Sequence, residues 1–158
     1  MIRTGIGYDI HPLTQGRKLI LGGVEIASDR GLLGHSDADV LSHAIADALL
    51  GAIAAGDIGM HFPNTDGRWR DASSLELLRL VAAQLARQEF RIVNVDSTLI
   101  AEAPRVSPFS LKMRENIAGA IGVGVECVSV KATTNEQLGA LGRGEGIAAM
   151  AIATVERF

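Results

Sequence analysis

The first third of the chain alternates apolar and polar residues and then changes to a helical pattern. The segments RTGIGYDIH and RKLILGGVEI are typical of strands. Gly22-Gly23, between Leu19–Leu21 and Val24–Ile26, predicts a tight β-hairpin. The following DADVLSHAIADALLGAIAAG is rich in Ala and Leu and predicts a helix, for which Ser36 is the expected N-cap.

Helical and strand periods alternate through the rest of the chain. DASSLELLRLVAAQLARQEF and SPFSLKMRENIAGAIGV predict two more helices, the second with Pro108 in its first turn. RIVNVDSTLIAE, ECVSVKATT and GIAAMAIATVERF predict three strands. This order favours an α+β fold, with one mixed β-sheet covered on one face by about three helices. We expect a single domain that spans residues 1–158.

Composition narrows the class of protein. The 158 residues are 47% hydrophobic and 21% charged, as in a compact domain, and no stretch reaches the roughly 18 apolar residues of a membrane helix. Cys127 is the only cysteine, which excludes an intrachain disulfide and a cysteine-based zinc finger. A net charge of −3 without a basic block argues against a nucleic-acid partner. The N-terminal pattern is neither a signal nor a transit peptide, so we expect a cytoplasmic protein.

Two histidines and a carboxylate are candidates for a metal site. Asp9 and His11 lie two apart on a predicted strand, so their side chains point to the same face. His43 lies on the first predicted helix, where Asp39 and Asp47 are four residues away and available to fix its tautomer. Two histidines and one carboxylate leave an open coordination position, as in catalytic zinc sites. Spacing alone leaves an alternative open, in which Asp9 and His11 are ordinary strand residues and His43 is a packed helix residue without a metal.

Three further polar clusters are compatible with a phosphorylated ligand. His35 and Ser36 precede the first helix, where free backbone N–H groups attract anions. The loop of residues 57–66 concentrates polar side chains between two helices, and Thr133–Glu136 offers hydroxyls and a carboxylate that suit a phosphate with its Mg²⁺. Helix capping, turn chemistry and glycine-rich bends explain the same residues without a ligand.

Seven segments, in their order along the chain, resemble the 2-C-methyl-D-erythritol 2,4-cyclodiphosphate synthases, the cyclases of the non-mevalonate isoprenoid pathway. They are GYDIHP, LGGVEI, GLLGHSDADVLSHAIADALLGA, GDIGMHFPNTD, NVDSTLIAEAPR, VKATTNEQLG and GRGEGIAA. The resemblance implies a homotrimer whose sheets face the threefold axis and whose active sites lie between subunits. It also implies conversion of 4-diphosphocytidyl-2-C-methyl-D-erythritol 2-phosphate to the cyclic diphosphate and CMP by metal-assisted intramolecular phosphoryl transfer.

The resemblance further implies roles for individual residues. Asp9, His11 and His43 are implied to hold a divalent ion, expected to be Zn²⁺, and Glu136 to bind a Mg²⁺ or Mn²⁺ that bridges substrate phosphates. The stretch Ala101–Arg105 resembles the family's cytosine pocket, which the neighbouring subunit contributes. The implied catalytic residues are His35 and Thr134, and the implied substrate-binding residues are Asp9, His11, His35, Ser36, Asp57, Gly59, Phe62, Pro63, Asn64, Thr65, Asp66, Ala101, Glu102, Ala103, Pro104, Arg105, Thr133, Thr134, Asn135, Glu136 and Arg143.

Two departures from the family pattern concern other regions than the metal ligands. Asn64 stands where the family often has Asp, and Ala140 and Leu141 stand where it often has an aromatic residue. The second change concerns the cavity at the trimer axis, where some family members bind isoprenoid diphosphates. Arg143 and Glu145 resemble residues that line this cavity. Two other functions stay open: a metal-dependent phosphohydrolase, and a non-enzymatic module that binds nucleotides or isoprenoid diphosphates.

Overall fold

Seven strands and five helices are present in the computed structural model, which describes residues 1–158. The strands are β1 (Ile2–Gln15), β2 (Leu19–Leu21), β3 (Val24–Ile26), β4 (Arg30–Leu32), β5 (Phe90–Ile100), β6 (Val128–Thr133) and β7 (Gly146–Arg157). The long helices are α1 (Val40–Ala52), α3 (Ser74–Arg87) and α4 (Ser110–Ile121), and the single-turn helices are α2 (Ile58–His61) and α5 (Gly139–Gly142). No helix combines the length and apolar character needed to span a bilayer.

Five of the strands form one mixed sheet in the order β4-β1-β7-β5-β6, and β2 and β3 form a separate hairpin. The pairings of β1 with β4 and β7, and of β5 with β7, are antiparallel, whereas β5 and β6 run parallel. Near the start of β7, Ile147 pairs with His11 on one side and Ala148 pairs with Ile100 on the other. The part of β1 that carries Asp9 and His11 and the carboxyl end of β5, which leads into Ala101, therefore lie at the same end of the sheet.

The hydrophobic core lies between the sheet and the three long helices. Helix α1 contributes Leu41, Ile45 and Leu49, which are fully buried. Opposite it, the inward positions of β7 include Ala149 and Ala151, whose short side chains let the helix approach the sheet closely. Burying these side chains on one face only gives the two-layer α+β fold that the sequence predicts.

The other face of the sheet is apolar and exposed. On β1 the residues between the inward-facing ones are Ile6, Tyr8 and Ile10, which are 66%, 54% and 46% exposed. Met150 and Ile152 on β7 continue this apolar surface. A contiguous surface of large apolar side chains is typical of a contact with another chain.

The ends of several elements differ from the prediction. Helix α1 begins at Val40 and is capped by Asp39, so the expectation that Ser36 is the N-cap was wrong. Asp39 is fully buried and accepts hydrogen bonds from the amides of Gly22 and Gly23 as well as from Ser42. A carboxylate satisfies four donors at this point, which a serine hydroxyl cannot do. Three elements, β4, α2 and α5, have no counterpart among the predictions.

Candidate active site

The metal site depends on close packing of helix α1 against strand β1. A Cβ atom at Gly7 would lie 1.9 Å from the carbonyl oxygen of Ala44, and one at Gly5 would lie 2.0 Å from that of Ala48. Only glycine permits this approach. Because side chains alternate along a strand, the face that carries Gly5 and Gly7 next carries Asp9, which then meets the turn of α1 around Ala44.

Asp9, His11 and His43, here called the metal triad, form a small triangle of donor atoms. Asp9 Oδ2 is 2.9 Å from His11 Nε2 and 3.0 Å from His43 Nδ1. The two ring nitrogens are 3.2 Å apart. Ligand atoms around a tetrahedral Zn²⁺ lie about 3.3 Å from one another, since each bond is about 2.0–2.1 Å long. The spacing and the donor set of the metal triad therefore fit a divalent ion such as Zn²⁺.

Hydrogen bonds and charge prepare the metal triad for a cation. His11 Nδ1 lies 2.8 Å from the carbonyl oxygen of Leu33 and donates its proton there, which directs Nε2 towards Asp9. Burial by itself would raise the pKa of Asp9, but His11 and His43 beside its carboxylate lower it to about 2. Burial would lower the pKa of His11, but Asp9 and the Leu33 carbonyl raise it. The Asp9 carboxylate is thus ionised at neutral pH, and a bound metal competes with a proton on His11.

A cavity of about 540 Å³ opens beside the metal triad. Its other predicted lining residues are His35, Ser36, Asp57, Gly59, Phe62 and Asn64. Gly34, Ile58, Trp69 and Leu77 also line the cavity but were not predicted as site residues, and Asp47, which lines it too, was expected only to orient His43. Pro63, Thr65 and Asp66 belong to the same loop but do not line it.

Local hydrogen bonds hold the polar lining residues in place. His35 Nε2 donates to the carbonyl oxygen of Asp66 at 3.2 Å, and Asp57 caps α2 by accepting from the amide of Met60 at 3.0 Å. Phe62 packs edge-on against Trp69, with ring centroids 5.0 Å apart. The indole N–H of Trp69 is buried without a hydrogen-bond partner in the chain. The cavity thus combines polar groups near the metal triad with an aromatic wall.

Asp39 and Asp47, which were expected to orient His43, form hydrogen bonds with other groups. Asp39 caps α1 and anchors the hairpin, and Asp47 accepts from the amide of Ile58 at 2.8 Å. Burial raises the pKa of Asp47. His43 Nε2 instead faces two hydroxyls, Ser74 Oγ at 2.9 Å and Ser36 Oγ at 3.1 Å. The prediction that Asp39 and Asp47 fix the His43 tautomer was therefore wrong. Residues four apart on a helix lie on the same face as His43, but neither carboxylate makes a hydrogen bond to its ring.

The two segments predicted to bind the nucleotide, Ala101–Arg105 and Thr133–Glu136, lie together in one chain. The amide of Ala101 donates to the carbonyl of Thr133 at 3.0 Å, and Glu102 Oε1 accepts from the amides of Asn135 at 2.8 Å and Gln137 at 3.3 Å. Parallel pairing of β5 with β6 brings their carboxyl ends to the same edge, which explains the contact. No residue of either segment lines the cavity beside the metal triad.

The conformation of the second segment is unusual. Glu136 and the next residue, Gln137, both have left-handed backbones, with φ of 51° and 61°. Such angles are costly for non-glycine residues and persist where surrounding contacts hold them, here the Glu102 carboxylate. Thr134 Oγ1 contacts Glu136 Oε1 at 3.3 Å, and both side chains are exposed. Arg143, also predicted to be at a site, forms a 2.6 Å ion pair with Glu145.

Comparison with known proteins places the whole chain in one family. A sequence profile of the YgbB family matches residues 2–156. The chain belongs to the YgbB family. Curated YgbB relatives of similar length include the 2-C-methyl-D-erythritol 2,4-cyclodiphosphate synthase of Alkaliphilus metalliredigens, with 58% identity over 154 residues, 98% of this chain and 97% of the relative. The synthase of Dechloromonas aromatica is 58% identical over 155 residues, again 98% and 97% of the two chains.

Solved structures support the same assignment to the YgbB family. The chain superposes on the IspF of Plasmodium falciparum, determined as a CDP complex, with a TM-score of 0.87. The two share 33% identity, over 99% of this chain and 96% of that one. The family resemblance read from the sequence, the α+β fold and the cluster of Asp9, His11 and His43 that can bind a metal ion are therefore confirmed.

Proposed function

We propose that the chain converts 4-diphosphocytidyl-2-C-methyl-D-erythritol 2-phosphate to 2-C-methyl-D-erythritol 2,4-cyclodiphosphate and CMP, in the synthesis of isoprenoid precursors. The observation that carries this proposal is the metal triad, which lines a cavity of about 540 Å³. The triad occurs in a chain that is 54–58% identical to curated enzymes with the name of this cyclase. The comparisons favour neither the phosphohydrolase nor the binding module.

The reaction is an intramolecular phosphoryl transfer. An oxygen of the 2-phosphate forms a bond to the β-phosphorus, while the bond from that phosphorus to the oxygen bridging it to the α-phosphorus breaks. The electron pair of the broken bond leaves with CMP, and an eight-membered ring closes. The attacking phosphate is already an anion near neutral pH, so the protein has to position the two phosphates and offset their charge.

The metal triad and two neighbours do this at the reacting phosphates. Asp9, His11 and His43 would hold the metal ion that the family requires, with a coordination position left open. When bound, the divalent cation supplies Lewis acidity and positive charge beside the transferred phosphoryl group. His35, held by the Asp66 carbonyl, and Ser36 are assigned to hydrogen bonds with phosphate oxygens, and His35 to a catalytic role.

The methylerythritol part of the substrate is assigned to the part of the cavity that Asp57 and Gly59 line. Phe62 and Asn64, on the loop that continues from α2, also line the cavity. The remaining predicted residues of that loop, Pro63, Thr65 and Asp66, are assigned to a supporting role beside the substrate, since they do not line the cavity.

The cytidine and its phosphates are assigned to the Ala101–Arg105 and Thr133–Glu136 segments. In this proposal Thr134 is catalytic, and Glu136 would hold a Mg²⁺ or Mn²⁺ that offsets the negative charge of the substrate phosphates. The segments lie together in the chain but do not line the cavity beside the metal triad. An active site shared between subunits would bring the segments of one chain to the triad of the next.

A homotrimer with the sheets facing its axis is part of the proposal. The exposed apolar face that carries Ile6, Tyr8 and Ile152 supports it, because a contact with two further copies would remove that face from water. Binding of an isoprenoid diphosphate at the axis would involve Arg143, which would have to exchange its ion pair with Glu145 for a phosphate contact. We also place the protein in the cytoplasm.

The decisive experiment follows the phosphorus atoms of the substrate. Protein loaded with Zn²⁺ and Mg²⁺ is incubated with the substrate and monitored by ³¹P NMR. The proposal predicts equal amounts of CMP and cyclic diphosphate, and loss of both in His43→Ala. His61→Ala is the matched control, since His61 donates to the Ala55 carbonyl outside the metal triad and should keep its activity. A linear product would indicate the phosphohydrolase. Absence of turnover, with ligand binding that survives metal removal, would indicate the binding module.

A further inference from the structure

One ring nitrogen of His43 faces the metal triad, and the other faces a buried chain of hydrogen bonds. Nδ1 points to Asp9 and His11, whereas Nε2 lies 2.9 Å from the hydroxyl oxygen of Ser74. His43 is 8% exposed and Ser74, the first residue of α3, is 1% exposed. The two residues are 31 positions apart in the sequence, so no local pattern links them.

The partners of Ser74 determine the direction of these hydrogen bonds. Ser74 Oγ also contacts Asp37 Oδ1, and a carboxylate oxygen can only accept. The single hydroxyl proton of Ser74 therefore goes to Asp37, which leaves the Ser74 oxygen to accept a proton from His43 Nε2. The orientation of Asp37 is fixed, because its other oxygen accepts from the Ser74 amide at 3.0 Å and its own amide donates to the carbonyl of Ala72 at 3.1 Å.

We infer that Asp37 and Ser74 are positioning residues that hold His43 in the tautomer with the proton on Nε2. In that tautomer the lone pair of Nδ1 points to Asp9 and His11, which is the form that can bind a metal ion. The inference deepens the proposed function, because it assigns the residues that make His43 a ligand. It also gives the start of α3 a role in the site, since Ser74 belongs to that helix.

Two competing explanations assign other roles to the same atoms. In the first, Asp37 only caps α3, which has no side-chain cap from Ser73. In the second, Ser36 Oγ, at 3.1 Å from Nε2, is the acceptor that sets the tautomer. Ser36 already accepts from the amide of Ala38 at 3.2 Å and lacks a carboxylate partner, so Ser74 is the better-oriented acceptor.

The test measures metal binding and the tautomer separately from catalysis. Metal-free protein is titrated with Co²⁺ against a chromophoric chelator, and the visible absorption of bound Co²⁺ reports the ligand geometry. Loss of a residue that orients a metal-binding histidine typically costs 10–100-fold in affinity. We expect Ser74→Ala to lose about that much, with a changed absorption spectrum, and Asp37→Asn to lose a similar amount. Ser74→Thr keeps the hydroxyl and should restore affinity to within a few-fold of wild type.

Two further variants separate the inference from a general loss of packing. Ser97→Ala removes another buried hydroxyl, which donates to the Ser129 carbonyl on the sheet, and should bind Co²⁺ as wild type does. Ser36→Ala should lose less affinity than Ser74→Ala. Wild-type affinity and spectrum in Ser74→Ala would overturn the inference, as would a larger loss in Ser36→Ala.

Long-range ¹H–¹⁵N spectra of the metal-free protein, at a pH where the imidazole is neutral, read the tautomer directly. The inference predicts the proton of His43 on Nε2 in the wild type and a mixture of tautomers in Ser74→Ala. A proton on Nδ1 in the wild type would overturn it. This measurement needs neither metal nor substrate. It therefore tests the role of Asp37 and Ser74 even if the protein does not have the proposed cyclase activity.

Discussion

Replacing Gly7 by alanine tests whether the approach of α1 to β1 builds the metal triad. The new Cβ would lie 1.9 Å from the Ala44 carbonyl oxygen and 2.8 Å from the Ala48 amide nitrogen, both on the backbone of α1. Cβ atoms essentially never approach other atoms closer than 3.0 Å, so the helix has to retreat by about 1 Å. His43 immediately precedes Ala44, so its ring moves with the helix.

Gly7→Ala should lower both the stability of the fold and the affinity of the metal triad for its ion. Overpacking of this kind costs about 1–3 kcal/mol of unfolding free energy. A retreat of about 1 Å widens the 3.0 Å separation of Asp9 Oδ2 and His43 Nδ1 beyond the roughly 3.3 Å that suits a tetrahedral ion. We expect metal affinity to fall by at least about tenfold and turnover by about 100-fold, because misplacement of a group by 1 Å has effects of that order.

The assay combines urea unfolding, Co²⁺ titration and turnover in Gly7→Ala. Gly51→Ala is the matched control, since it adds the same methyl group to α1 itself, where the nearest atom outside the local helix backbone, the Ile6 carbonyl oxygen, is 3.8 Å away. We expect Gly51→Ala to be stabilised by about 0.5–1 kcal/mol with unchanged metal affinity. Wild-type metal affinity and turnover in Gly7→Ala would refute the argument that glycine contact places His43.

Three other perturbations address separate parts of the structure. Asp39→Ala leaves the hairpin amides and the first turn of α1 without a hydrogen-bond acceptor. It should lower the free energy of unfolding in urea by about 3 kcal/mol, and a decrease below about 1 kcal/mol would contradict that role. In metal-free protein the folded pKa of Asp9 is about 2, below its ordinary 3.8, so its stabilisation is present above pH 3.8 and disappears as pH falls towards 2. The advantage of wild type over Asp9→Asn should therefore grow by up to about 2 kcal/mol from pH 2 to pH 5 in thermal melts, and a pH-independent difference would be evidence against it. Glu102→Ala frees the amides of Asn135 and Gln137 and should weaken CDP binding about tenfold by calorimetry, whereas unchanged binding would show that the loop holds its shape without Glu102.

The sequence predicted those features that depend on local pattern. The hairpin of Leu19–Leu21 and Val24–Ile26 is found with the predicted limits, because the Gly22-Gly23 turn fixes its register. The shared face of Asp9 and His11 follows from strand periodicity. Short elements such as β4 and α2 were missed, since three or four residues are too few to show a period.

The rest of the site depends on contacts between distant residues. Asp39 caps α1 because the hairpin presents two amides to it, and nothing near Asp39 in the sequence indicates that contact. Ser74 reaches His43 only after α3 packs on α1. One signal was available in the chain: Gly5 and Gly7 lie on the same strand face as Asp9, and small residues there permit a helix to approach.

We expect the metal triad to hold one ion per chain and cyclisation to depend on that ion. The most direct measurement titrates metal-stripped protein with Zn²⁺ at constant Mg²⁺ while ³¹P NMR follows the substrate. We expect the rate of cyclic diphosphate formation to rise with Zn²⁺, to reach a plateau at one equivalent per chain, and to stay at the metal-free level throughout in His43→Ala. An undiminished rate in the metal-stripped protein, or a plateau reached equally by His43→Ala, would contradict a requirement for the ion at the metal triad.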